Sequence, residues 1–322
     1  MIADILSIID NGLLQGLGYG LAGIGVVISF RILKYPDLTA DGSFLVGAAG
    51  FAALVNAGVP WLAAIFCSAI LGALAGTVTA VLHTKVGVNR LLSGILTSMI
   101  CYSAAFRILA GRPNLSLGGL TTMFSLAERI DAQPKWEVLG FHAASITISG
   151  LIAMVLILLL YGLLISEMGV VLRATGQNPM LVEEAGRRPQ RYHTCGLALA
   201  NAIIGFSGGL VTARQGFVDV GMGLGVIITL VAALVIGETF VRLVRLHPTT
   251  SLIGRLLAPV VGGCLYYMLY VTILRASIRE WIPVKIVPTD LKFMAAMIVI
   301  VVVAIRVLYS KRAVDEEEVL PL

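Results

Sequence analysis

The stretch Leu172–Arg191, "LRATGQNPMLVEEAGRRPQR", is polar and charged and carries two prolines. The chain on either side of it, roughly 144–166 and 194–213, is apolar enough to span a bilayer. A polar insert between two apolar runs is therefore read as a loop outside the lipid, and the runs as transmembrane helices. The insert has internal order. Asn178 followed by Pro179 is a helix start: a side chain that accepts a backbone N–H, then a proline where no N–H is needed. Glu183 and Glu184 follow near the helix N-terminus, where acids are favoured. Gly186 can end the helix in a left-handed turn. The spacing predicts a two-turn helix from Pro179 to Ala185, with Met180, Leu181, Val182 and Ala185 as its apolar face.

Working outward, the whole chain fits that reading. Its 322 residues are 58% hydrophobic and 13% charged, with a mean hydropathy of +0.96. Soluble domains carry about 25% charged residues. The chain is expected to be an all-α integral membrane protein, a single transmembrane domain over 1–322. Nine spans are predicted at roughly 12–31, 42–58, 61–82, 91–110, 144–166, 194–213, 222–238, 256–274 and 292–309, within a range of eight to ten. The second and seventh are short and glycine-rich, so either can be broken or re-entrant. Irregular backbone at that depth is tolerated only against protein or a water-filled cavity. Between the spans lie the insert (168–192), a long loop (111–143) with a short amphipathic helix around 120–131, and an acidic tail (310–322).

Charge sets the expected orientation. With the last segment cytoplasmic, fourteen Lys and Arg fall on the side of the insert and eight on the other. That bias places the N-terminus outside and the insert and C-terminus in the cytoplasm. The net charge of +5 sits mostly in these loops and does not point to nucleic acid. The opening "MIADILSIID" has no basic run, so no cleaved leader is expected.

Small residues four apart (Gly12, Gly16, Gly20; Gly72, Gly76; Gly205, Gly209; Gly221, Gly225) suit close helix packing. Cys67, Cys101, Cys195 and Cys264 stand singly in apolar runs and read as buried packing residues. The histidines 83, 142, 193 and 247 are scattered, and each reads as a loop or interface residue. The phosphate-binding pattern G-x-x-x-x-G-K-[ST] is absent, as is H-E-x-x-H. No catalytic residue, metal or cofactor of the chain's own is expected. Polar groups inside spans carry a functional expectation by default. Arg107 can snorkel outward. Glu238 can reach the cytoplasm or pair with Arg242, and Asn201 suits an interhelical hydrogen bond. No acid is expected at mid-bilayer.

A resemblance enters on these residues. "SEMGVVLRATGQNPMLVEEAGRRPQR" resembles the cytoplasmic coupling segment of ABC importer permeases in the branched-chain amino-acid and ribose permease superfamily. The match runs through Gly169, Leu172, Arg173, Ala174, Asn178, Ala185 and Gly186, with wording close to tryptophan/tyrosine-type permease components. Arg187 stands where the family has an apolar residue. "YPDLTADGSFLVGA" (Tyr35–Ala48) is similar to the segment that follows the family's first span. "FSGGLVTARQGFVDVGMGLG" (Phe206–Gly225) is similar to the link into a short glycine-rich span. The resemblance covers roughly 12–310.

It implies an importer permease of the bacterial inner membrane, carrying an amino acid or related small solute. The implied partners are an ATP-binding subunit that alone binds ATP, an external substrate-binding protein and a second permease copy as a homodimer. The implied coupling residues are Gly169, Arg173, Ala174, Gly176, Asn178, Pro179, Leu181, Glu184, Ala185 and Gly186. Candidates for the pathway or gate are Asp37, Thr39, Asp41, Gly42, Tyr102 and Asn201, although the first four fit a capped loop somewhat better, one in which Thr39 or Asp41 caps the second span. Two other classes stay open: an ATP-independent secondary transporter and a membrane assembly subunit that moves no solute.

Overall fold

The computed structural model describes residues 2–131, 142–243 and 252–278, with scattered positions between 293 and 304. Helix α1 (Ile2–Val26) continues into a π turn, Val27–Ile32. Then follow α2 (Ala40–Asn56), α3 (Trp61–Thr84), α4 (Arg90–Ile108), α5 (Met123–Asp131), α6 (Ala143–Ile165), α7 (Glu167–Gln177), α8 (Pro179–Glu184), α9 (Pro189–Gln215), α10 (Val226–Leu243) and α11 (Leu252–Ile278). Among the described residues, seven helices are long and apolar enough to cross a membrane, and α2, with 17 residues, is a shorter apolar helix. The protein is an all-α multi-pass membrane protein. The ninth expected span, 292–309, falls largely outside the described residues, as does the tail.

Two short strands add to the helical plan. β1 (Asn114–Ser116) and β2 (Phe217–Asp219) pair antiparallel. They join the chain leaving α4 to the chain leaving α9, and Asn56 Nδ2 donates to the Ser116 carbonyl at 3.2 Å. The ends of α2, α4 and α9 therefore share one face. The insert and the end of α1 share the opposite face. The expected amphipathic helix is α5. It buries Phe124 and Ala127, and the turn before it is fixed by Thr122 Oγ1 donating to the Ala213 carbonyl at 3.3 Å.

The bundle is held by backbone proximity. Lipid offers no hydrophobic drive between helices, so close packing must hold them together. Along α1, Cβ atoms at Gly12, Gly16 and Gly20 would collide with the backbone of α11 at Met268, Cys264 and Val260. At the centre, Gly72 of α3 and Gly205 of α9 face each other, and a Cβ on either would overlap the Cα of the other. The Gly221–Gly225 pair differs from expectation. It belongs to no span: Val220–Gly223 is a 3-10 turn, Gly225 has φ +77°, and the helix begins at Val226. Helix α9 is the core, with Asn201 near its midpoint and fully buried.

Cysteine placement is partly as expected. Cys101 is buried, Cys67 and Cys264 are half-buried, but Cys195 is exposed.

Candidate functional site

Two irregular segments enter the bundle from opposite faces and meet at mid-depth. From the insert face, residues 33–39 run from the end of the π turn to the start of α2. From the other face, residues 217–225 run down to the start of α10. Depth follows from their neighbours. Leu38 and Gly42 lie against Ser98, half-way along α4, while Asp37 and Ser43 bond Asn201, half-way along α9. Helix α2 thus starts inside the bundle, which is why it is short. The first segment is packed against protein and the second partly lines a cavity, the two settings in which irregular backbone is tolerated at this depth.

The first segment ends in a closed polar network. Asn201 Nδ2 donates to Asp37 Oδ2 at 2.6 Å and to the Leu197 carbonyl at 3.0 Å. Ser43 Oγ donates to Asn201 Oδ1 at 2.7 Å. The Thr39 N–H donates to Asp37 Oδ1 at 2.9 Å, and the Thr39 and Thr79 hydroxyls bond at 2.6 Å. Asp37, Thr39, Ser43, Thr79 and Asn201 have no solvent exposure at all. A buried network of this kind is stabilising only while every member is satisfied.

Asp41 does something the local rules did not foresee. Its carboxylate caps another helix, not its own. Gly225 N–H donates to Oδ2 at 3.0 Å and Ile227 N–H to Oδ1 at 2.7 Å. These are free N–H groups at the start of α10, where a negative charge also meets the positive helix end. Thr39 occupies the cap position of α2 but makes no side-chain cap bond there, because its hydroxyl is engaged by Thr79. The expectation that either residue caps the second span is therefore corrected. So is the expectation that no acid lies at mid-depth: Asp37 and Asp41 both do.

Around this junction lies a cavity of about 560 Å³. Asp41, Gly42 and Tyr102 line it, together with Leu45, Ile95, Ser98, Met99, Gly223, Leu224 and Ile227. The pathway candidates divide accordingly. Asp41, Gly42 and Tyr102 face the cavity; Asp37, Thr39 and Asn201 form the buried bracket behind it. A Cβ at Gly42 would overlap Ser98 and Cys101, so glycine is needed for α2 to lie this close to α4. Apart from Tyr102, the wall contributed by α4 and by 223–227 was missed, for an apolar transmembrane face gives no signal of its own.

The insert is two helices rather than one. The preceding helix α7 was not expected. Helix α8 follows from its sequence: Asn178 Oδ1 accepts from Met180 N–H at 3.1 Å, Pro179 stands at the first position, and Gly186 has φ +73°. Val182 turns inward and is buried, whereas Met180 and Leu181 are 74% and 60% exposed. Glu184 and Ala185 lie at the end of this helix, also exposed. Gly169 docks α7 on the end of α6, where a Cβ would overlap Leu163 and Leu164. Gly176 docks it on the π turn that ends α1, where a Cβ would overlap the Ile32 carbonyl. Arg173 Nε donates to the Gly169 carbonyl at 3.4 Å, and the Ala174 carbonyl accepts the Asn178 N–H at 2.8 Å. Arg187 donates to the Tyr192 hydroxyl at 3.1 Å. Glu238 has a partner that its local sequence did not indicate. It receives Arg31 bidentately at 2.7 and 2.6 Å, joining α10 to the π turn.

Two histidines are interface residues. His142 stands at the entry to α6 and bonds buried Asp10 through its backbone N–H at 2.9 Å and Nδ1 at 2.6 Å. His83 Nδ1 lies 2.8 Å from the Val88 carbonyl. His193 is buried in α9, and His247 lies outside the described residues.

Comparison with known proteins adds three findings. The family model described as "Branched-chain amino acid transport system / permease component" matches residues 8–304. The chain is 29% identical over 291 residues to the tyrosine transport system permease protein of Clostridioides difficile (strain R20291), covering 90% of this chain and 88% of that one. It is 33% identical over 215 residues to an uncharacterized protein, RP368, of Rickettsia prowazekii (strain Madrid E), covering 67% and 71%. No solved structure matches.

Proposed function

This chain belongs to the family of permease components of branched-chain amino acid transport systems, and from that premise we propose an importer subunit driven by a separate ATP-binding protein. Its solute is an aromatic amino acid, as the name of the Clostridioides relative suggests. The partners we propose are an ATP-binding subunit at α8, an external substrate-binding protein at the far face and a second copy of the chain. The location is a bacterial inner membrane with the insert in the cytoplasm.

The observation that carries this reading is the continuity from α8 to the cavity. Helix α8 offers Met180 and Leu181 to solvent on a two-turn helix too short to stand alone. It is joined to α7, which is seated through Gly176 on the Ile32 carbonyl. Ile32 leads directly into residues 33–39, which end in the Asp37–Asn201 bracket and the Asp41 cap. A push on α8 is thereby delivered to the cavity wall through packed backbone. Such a chain transmits force only if the junction has two arrangements, and the irregular segments supply the joint. The π turn beside Arg31 and Glu238 adds a second one. Wide turns of this type often sit at functional positions.

One observation favours the ATP-independent reading: two acids at mid-depth. Yet both are engaged as structural acceptors, Asp37 by Asn201 and Thr39, Asp41 by two backbone N–H groups. The test is co-expression with the cognate ATP-binding subunit and affinity purification of the complex. Wild-type chain is expected to retain the subunit, and Leu181→Asp or Ala185→Arg to lose it while remaining monodisperse. Undiminished uptake with no ATP-binding subunit present would overturn the proposal in favour of a secondary transporter. Association without any solute movement would favour an assembly subunit.

A further inference from the structure

A second, smaller cavity of about 180 Å³ lies between α1, α10 and α11. Its walls hold four tyrosines, Tyr19, Tyr266, Tyr267 and Tyr270, with Thr229 and Leu224. The tyrosines form one connected aromatic set. Tyr19 stacks on Tyr267 with centroids 4.9 Å apart, and Tyr267 meets Tyr266 edge-on at 5.2 Å and Tyr270 at 5.5 Å. On its other side Tyr19 stacks on Phe44, at 5.3 Å, one turn beyond Asp41. Leu224 lines both this cavity and the larger one, so the two spaces are neighbours across one side chain on the irregular 217–225 segment.

The size and chemistry select a class of occupant. An apolar cavity of about 150 Å³ is large enough to hold benzene. Ring faces and edges favour another ring in stacked or edge-on geometry, while the hydroxyls are engaged within the wall, Tyr19 with Tyr267 and Tyr266 with Thr229. A branched aliphatic side chain would gain none of these ring contacts.

We propose that this tyrosine-lined cavity is a ring-binding subsite that takes the side chain of an aromatic amino acid, while its charged end stays in the larger cavity beyond Leu224. The inference rests on the transport reading above and gives the ring of the aromatic solute proposed there a place in the fold.

The experiment uses the purified full chain in lipid nanodiscs and 3-fluoro-L-tyrosine observed by ¹⁹F NMR. Binding is expected, with displacement by L-tryptophan and little displacement by L-leucine. Tyr270 is half-buried, so its replacement spares the core. Tyr270→Leu should weaken binding about five-fold, the scale of one lost aromatic pair, while Tyr270→Phe should retain it. Equal competition by L-leucine, or no binding by folded wild-type protein, overturns the subsite, and that comparison holds even if Tyr270→Leu does not fold. Equal binding by a monodisperse Tyr270→Leu protein overturns it too. The two readings fail separately. Selective ring binding without ATP-driven uptake sinks the transport reading alone, and ATP-driven uptake of an aromatic amino acid that is unaffected by Tyr270→Leu sinks the subsite alone.

Discussion

Exchanging the two members of the central bracket gives a sharp test of the fold around the cavity. Asn201→Asp would set a second carboxylate within 2.6 Å of Asp37, with neither residue exposed. Breaking a buried charge-bearing pair costs about 3–5 kcal/mol. The variant also loses the amide N–H that reaches the Leu197 carbonyl, worth about 1 kcal/mol. The single change is therefore expected to cost at least about 4 kcal/mol. Adding Asp37→Asn restores a donor and a carboxylate facing each other with their identities exchanged. The new amide at position 37 can still accept the Thr39 N–H, and the new carboxylate at position 201 can still accept the Ser43 hydroxyl. Only the bond to Leu197 stays lost, so the double variant should lie within about 1–2 kcal/mol of wild type. The difference between the single and double variants, at least about 2 kcal/mol, reflects the coupling that a double-mutant cycle reads. The assay is the apparent unfolding midpoint of purified protein at one scan rate. At about 2–4 °C per kcal/mol the single variant should fall by roughly 8 °C or more, with about half or more of that recovered in the double. A double variant no more stable than the worse single would refute the bracket.

Three further outcomes follow from other contacts. Asp41→Ala should leave the N–H groups of Gly225 and Ile227 without this acceptor and lower stability by about 2–4 kcal/mol, read as loss of the midpoint and faster hydrogen exchange at the start of α10. Gly176→Val should drive α7 off the Ile32 carbonyl; with the proposed ATP-binding subunit the expected outcome is a complex that still forms but hydrolyses ATP without uptake. Reversing the ion pair with Arg31→Glu and Glu238→Arg together should restore most of the uptake lost in either single change, because the two side chains meet at that joint through two bonds.

Much of the plan was legible in the sequence because its signals are local. Asn178, Pro179 and Gly186 each specify backbone geometry within a turn, and α8 has the expected start and stop. Apolar length marks the helices, and glycines four apart on α1 mark its contact with α11. What escaped depends on distant partners. A cap rule assigns Asp41 to its own helix, whereas the carboxylate reaches an N–H 186 positions later, at Ile227. Glu238 looked to its near neighbour Arg242, but the fold brings Arg31 to it from 207 positions away. The start of α10 was placed too early because Gly221–Gly225 is apolar enough to pass for helix. Helix α7 was hidden by its mixed polarity, since it packs partly against the π turn, α6 and α9 instead of lying in lipid. The tyrosines escaped for a simpler reason: Tyr19 and the Tyr266–Tyr270 group stand far apart in sequence and meet only when α1 packs on α11.

The most direct measurement is the sidedness of α8. With the four native cysteines replaced by alanine, Leu181→Cys in whole cells should resist a membrane-impermeant maleimide and react only after permeabilisation. Labelling of intact cells at that position would place the helix outside, out of reach of the proposed ATP-binding subunit, and would contradict its proposed role as the coupling element.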